Sequence, residues 1–278
     1  MQVARLIVHV LLGVYAVLLA YIILGLVLGF TISADIFFDL SFALLFFALA
    51  QSIFELGTRN AVIFLIFSSF AGFAAEVLGT NTGFPFGDYG YSELLGSKLL
   101  GVPVVVPLIW FVISYITLSI LLGAFHIIHR PAGATLSISA LAAFGAMAWD
   151  LLIDPMFTSY GYWTWSASQP IVSPRLSGVP LTNFLGWFVL VFVVISLYLG
   201  FMKGSTMIPR RKNTYDSYAA YVMLLIDGVI ANWQLGHYLV IGIGSLAMVV
   251  FLVSSFVYSS MKSRTQEILS DQNKVRVN

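Results

Sequence analysis

Leu6 to Phe30 reads LIVHVLLGVYAVLLAYIILGLVLGF, a run of 25 residues without Lys, Arg, Asp or Glu. About 20 apolar residues of helix suffice to cross the roughly 30 Å hydrocarbon core of a bilayer. The run is too long for a signal-peptide core and has no small-x-small cleavage site, so it reads as a retained first membrane helix. Comparable runs follow it, and eight spans are predicted at about 4–30, 34–56, 60–79, 103–128, 134–155, 181–202, 215–234 and 237–260. Helices are the form open to them, because every backbone group in lipid needs an internal partner. Composition agrees: 60% of the chain is hydrophobic and 9% charged, against about 25% charged in a soluble domain. The fold class is an all-α polytopic membrane bundle over residues 1–261, followed by a polar tail at 262–278.

With net charge +1 and no basic patch, nucleic acid is not an expected partner. The chain has no cysteine, which excludes disulfides, thiolate metal sites and cysteine nucleophiles. Gly57–Asn60 and Arg130–Gly133 read as tight turns, and 80–102 and 156–180 as long loops rich in Gly, Pro and aromatics. With the N-terminus inside, eleven Lys and Arg fall on the inner side and only Lys98 and Arg175 on the outer. This asymmetry predicts a multi-pass cell-membrane protein with both termini cytoplasmic. Eight acids, Asp35, Asp39, Glu76, Asp88, Glu93, Asp150, Asp154 and Asp227, fall in outer loops or outer helix halves. Glu55 has an inner position and a simple expected partner in Arg59, four residues on.

The sequence repeats itself. GVPVVVPLIWF (Gly101–Phe111) echoes GVPLTNFLGWF (Gly178–Phe188), and PFGDYGY (Pro85–Tyr91) echoes PMFTSYGY (Pro155–Tyr162). Upstream of each stands an acid, Glu76 in one and Asp150 in the other. The pattern predicts a duplicated helix-loop-helix unit, spans 3–4 and 5–6, as a parallel repeat about an axis along the membrane normal. Glu76 and Asp150 would then face one shared cavity. A fainter echo, LLIDP (Leu151–Pro155) against LLIDG (Leu224–Gly228), would bring Asp227 to the same level.

Asp150 and Asp154 are four apart and share a helix face. A carboxylate within a bilayer costs several kcal/mol unless it is paired, neutralised or hydrated. Such a group commonly escapes by holding its proton, and a carboxyl protonated near neutral pH is a general acid. The alternative is a polar cluster that ties helices together. The loop TGFPFGDYGY (Thr82–Tyr91), with Tyr160, Tyr162, Trp163 and Trp165, can form an interfacial aromatic belt or wall a pocket whose π-faces meet a cation. For most of these rings the belt is the simpler expectation. Asn183 and Asn232 can each orient a water or bond a neighbouring helix. His126, His129 and His237 show no metal-ligand spacing, and no phosphate-cradling glycine motif is present.

Glu76 followed by TGFPFGDYGY, GVPVVVPLIW, WDLLIDP (Trp149–Pro155), GYWTW (Gly161–Trp165) and GVPLTNFLGWF resembles the carotenoid-biosynthesis membrane protein family, that of the bacterioruberin-pathway carotenoid hydratases and related carotenoid 1′,2′-hydratases. The resemblance covers residues 70–190 closely. It implies a cofactor-free enzyme that adds water across the terminal isoprenoid double bond of an acyclic carotenoid, giving a tertiary alcohol. That chemistry needs a proton donor in a dry pocket, a wall that stabilises a tertiary cation, and one held water. Asp150, Asp154, Glu76 and Asp227 are the catalytic candidates. Phe86, Asp88, Tyr89, Tyr91, Trp110, Trp149, Tyr162, Trp163, Asn183 and Trp187 are the substrate-binding candidates. No metal site is expected; the partners are a carotenoid or other isoprenoid lipid, water and membrane lipid. Rival readings are a membrane prenyltransferase holding Mg²⁺ between Asp150 and Asp154, a proton-coupled transporter, and a non-catalytic carotenoid-binding protein.

Overall fold

The computed structural model describes residues 2–30, 36–124, 132–167, 173–202 and 215–277. Among these residues eight helices form: α1 (Gln2–Leu28), α2 (Ile36–Leu56), α3 (Thr58–Thr82), α4 (Val106–Ala124), α5 (Ala132–Ser159), α6 (Leu181–Phe201), α7 (Tyr215–Gln234) and α8 (Tyr238–Val277). The all-α membrane bundle is as the sequence predicts. Six helices, α1, α2, α3, α5, α6 and α8, are long and apolar enough to cross a membrane. The other two of the eight predicted spans fall short for different reasons. α4 is apolar only over Val106–Leu122 among the described residues, and every residue from Trp110 to Leu122 is buried. α7 carries Asp216 and Asp227 on its buried face.

α5 is the hub, packed against α4, α6, α7 and α8, while α1 lies on α2 and α7. Gly57, at φ 80°, makes the expected turn between α2 and α3. Arg130 and Pro131 of the other predicted turn, His126, His129, Asp35 and the basic residues Lys203 and Arg210–Lys212 lie outside the described residues. The backbone of α8 continues to Val277, so the polar tail extends the eighth helix.

Among the described residues, six short strands lie in the two long loops: β1 (Tyr89–Tyr91), β2 (Lys98–Leu99), β3 (Val102–Pro103), β4 (Trp163–Trp165), β5 (Arg175–Leu176) and β6 (Val179–Pro180). β2–β3 and β5–β6 are hairpins of the same build, with Lys98 opposite Pro103 in one and Arg175 opposite Pro180 in the other. Their central residues, Leu100–Gly101 and Ser177–Gly178, all have positive φ, the condition for a type I′ turn. Each half therefore runs helix, strand, hairpin, helix, as duplication requires. The echo needs one correction. Tyr89–Gly90–Tyr91 is strand β1, but Tyr160–Gly161–Tyr162 is the turn after α5; β1 pairs antiparallel with Trp163–Trp165, Gly90 opposite Thr164. The second loop is thus shifted by about one turn relative to the sequence alignment.

Candidate active site

A cavity of about 120 Å³ opens among α1 to α7, with β1 and β4 forming one wall. Glu76, Asp150, Asp154 and Asp227 all line it, and each is buried. Counted back from the helix ends at Thr82 and Ser159, Glu76 of α3 and Asp154 of α5 stand nearly level, so the two halves present their acids to the same space.

The carboxyls differ in what they accept. Glu76 takes three donors: the Tyr89 hydroxyl and the Tyr91 hydroxyl (2.7 Å) on Oε2, and Trp110 Nε1 (3.0 Å) on Oε1. Burial, with the Glu76 carboxyl beside them, pushes the Tyr89 and Tyr91 hydroxyls well above the ordinary tyrosine range, so they stay protonated donors. Asp154 takes two: Trp163 Nε1 on Oδ1 and Asn183 Nδ2 on Oδ2. Asp150 takes the second N–H of the same Asn183 amide, at 2.9 Å on Oδ2. Asn183 thus joins the two aspartates, which answers for it the question its sequence left open. Asn232 settles the other way: its amide bonds the Leu152 carbonyl and the Gly228 carbonyl, each at 2.8 Å, and so ties α7 to α5.

The walls are aromatic. Trp110 and Trp187 stack at 3.7 Å between ring centroids, and Trp149 meets Trp187 edge-on at 5.7 Å. Phe86 packs on Trp110, and Tyr91 meets Trp163 edge-on. Phe86, Tyr89, Tyr91, Trp163 and Trp165 line the cavity, so for these rings pocket wall replaces the expected belt. Two backbones come close to make room. A Cβ at Gly72 would stand 2.4 Å from Trp110 Cγ, and one at Gly186 would stand 2.6 Å from Phe86 Cδ1.

Two predicted substrate contacts, Asp88 and Tyr162, do not line the cavity. The period-2 alternation of strands explains both. Tyr89 and Tyr91 share one face of β1, and Asp88 precedes them on the other, its carbonyl accepting from Ser166 N. Trp163 and Trp165 share one face of β4, while Tyr162 packs edge-on against Phe157 and its carbonyl accepts from Ser92 N. Tyr15 of α1 and Phe157 line the cavity without having been candidates, and Trp165, one of the rings read as belt or pocket wall, lines it too. Nothing in the uniform apolar run of α1 marks Tyr15. Glu55 is also corrected. Its carboxylate accepts from Gln51, Tyr115 and Ser119 in a buried cluster, while Arg59 is exposed.

Fold and site together define a polytopic membrane protein with an aromatic-walled cavity that holds four acids. Residues 34–251 match the family described as "Carotenoid biosynthesis protein". The chain belongs to that family. The match takes in α2, α7 and the first third of α8 as well as the central region, and leaves α1 outside it. Bisanhydrobacterioruberin hydratase of Haloarcula japonica is 29% identical over 194 residues, 66% of this chain. The chain spans 62% of that relative's length. No solved structure matches.

Proposed function

We propose that this protein is a carotenoid hydratase, adding water to the terminal isoprenoid double bond of an acyclic carotenoid. The observation that carries the reading is the unequal supply of hydrogen bonds to three carboxyls around one aromatic cavity. Of these three, Asp150, with one donor and the Asp154 carboxyl joined to it through Asn183, is best placed to hold a proton and is the general acid. Its proton goes to the less substituted alkene carbon, leaving a tertiary cation on the other. The faces of Trp110, Trp149 and Trp187 attract that cation through their quadrupoles, and Glu76, held by three donors, faces it as a carboxylate. Asp154 takes a proton from the water as its oxygen bonds to the cation, giving a tertiary alcohol. The proton returns from Asp154 to Asp150, which share Asn183, and the acid is restored. No cofactor enters this cycle.

The relative's name supports the reaction class. The cavity supports an apolar end group, with the rest of the polyene outside it in the bundle or the lipid. Charge asymmetry supports a cell-membrane location with cytoplasmic termini and the cavity in the outer half. The prenyltransferase reading is less well supported, because Asn183 and Trp163 aim N–H donors at the aspartate oxygens a cation would need.

The test is expression in cells that accumulate an acyclic carotenoid, with pigment mass analysed beside Asp150→Asn. A gain of one or two waters, lost in the folded variant, supports the hydratase. A gain of five-carbon units points to prenyl transfer. Unchanged pigment with folded wild-type protein overturns the reading for that substrate.

A further inference from the structure

Two donors in the cavity have no protein partner among the described residues. The Tyr15 hydroxyl and the Trp149 indole N–H are both buried and unbonded, on side chains 1% and 7% exposed, and both residues line the cavity. Three other cavity tryptophans have partners: Trp110 donates to Glu76, Trp163 to Asp154 and Trp165 to Thr158. Native proteins pair nearly all of their buried polar groups. We propose that Tyr15 and Trp149 bind a neutral hydroxyl oxygen inside the cavity, and that Tyr15 is a specificity-determining residue for the end group accepted.

The chemistry of the donors fixes the ligand class. An indole N–H can only donate, so its partner must be an acceptor; a tyrosine hydroxyl donates or accepts. A hydrocarbon end offers neither. A carboxylate or phosphate would meet Asp150, adjacent in sequence to Trp149, and Asp227 in the same lining. A neutral hydroxyl, that of an alcohol on the isoprenoid end or that of the attacking water, satisfies the donors without adding charge. Tyr15 belongs to α1, outside the family match at 34–251, while Trp149 and the carboxyls lie within it. The inference rests on the hydratase reading for the identity of the lipid.

The test uses the full-length chain in lipid nanodiscs with two probes, lycopene and its 1-hydroxy derivative. Dissociation constants come from quenching of tryptophan fluorescence, and turnover is followed in parallel for wild type, Tyr15→Phe and Trp149→Phe, each checked for monodisperse elution. Wild type is expected to prefer the hydroxylated end, and Tyr15→Phe to cut the ratio of the two constants about tenfold, the worth of one buried hydrogen bond. Trp149→Phe moves the ratio in the same direction. If both variants leave the ratio alone but lower kcat without changing KM, the oxygen they hold is that of the water. If neither variant changes the ratio or kcat, the proposal is overturned. If wild type shows the binding preference yet hydrates neither probe, the hydratase reading fails and the hydroxyl site stands.

Discussion

Trp110 and Trp187 stack face to face, 3.7 Å between centroids and 18° between planes, and they hold the same place in the two halves of the chain. Each stands nine residues after the Gly of its Gly-Val-Pro turn. A residue that meets its own counterpart across an interface marks a two-fold relationship, and the antiparallel pairing of β1 with β4 repeats it. The chemistry around this axis has diverged. At the position of Asn183 the first half carries Val106, so the paired aspartates have their amide on one side only, and Glu76 is held instead by Trp110 and two tyrosines.

The stack depends on the absence of a side chain at Gly72. A methyl there would lie 2.4 Å from the Trp110 ring, and both the stack and the Trp110–Glu76 bond would shift. Gly72→Ala is expected to destabilise the bundle by about 1–3 kcal/mol, as overpacked cores do, and to lower turnover of the molecules that remain folded. Thermal unfolding in detergent and pigment analysis check the two effects separately. Unaltered melting would show that α3 and α4 part without cost.

Asp150→Asn and Asp154→Asn should separate acid from base. Loss of a general acid or base costs about 10²–10⁴-fold, and both variants are expected to fall in that range. They differ once protonation of the alkene is bypassed. A preformed tertiary allylic alcohol ionises when its hydroxyl is protonated, by reversal the task of protonated Asp154, so exchange of that hydroxyl with labelled water should survive in Asp150→Asn better than in Asp154→Asn. Equal loss in both would show that the two aspartates act as one proton-sharing unit.

Much of this arrangement was legible in the residues. Length and hydropathy gave eight helices, and the Gly-Val-Pro echo gave the duplication. The level of the acids brought Glu76, Asp150, Asp154 and Asp227 to one cavity. What was hidden follows from physics that a one-dimensional pattern does not carry. The strands β1 and β4 are too short to show a hydrophobic period, so Asp88 and Tyr162 could not be told from their cavity-facing neighbours. The Tyr-Gly-Tyr triplets look equivalent, yet one is a strand and the other a turn, because pairing is decided across the axis. Tyr15 sits in a helix whose mean hydropathy conceals which face is inward.

Alkaline pH should weaken the fold through Tyr89 and Tyr91. Their hydroxyls are raised in the folded protein by burial and then by Glu76, while in an unfolded chain they ionise near pH 10. A raised native value means stability fully present below about pH 10 and lost as pH rises above it, by up to about 1.4 kcal/mol per pH unit for each tyrosine. Helical content followed against pH in detergent should fall on the alkaline side, with a shallower fall in Tyr91→Phe. Identical profiles would mean that the hydroxyl ionises in the folded state as freely as in the unfolded one.

Glu55 provides a control at a distance. It lies eleven residues along α2 from Leu44, which lines the cavity, or about 16 Å at 1.5 Å per residue. Its carboxylate accepts from Gln51 at 2.8 Å and from Tyr115 and Ser119 at 2.7 Å each, and Ser119 in turn bonds Ser217 at 2.7 Å, so α2, α4 and α7 meet there. Glu55→Ala would take the acceptor from three buried donors, at about 1–3 kcal/mol for each that finds no other partner. The expected result is a much lower melting temperature with turnover per folded molecule retained. Glu55→Gln keeps the shape and most of the acceptor capacity and should lose less stability. Abolished turnover in a Glu55→Gln protein that melts like wild type would instead connect this cluster to the cavity, as a proton path across the bilayer would, and would revive the transporter reading.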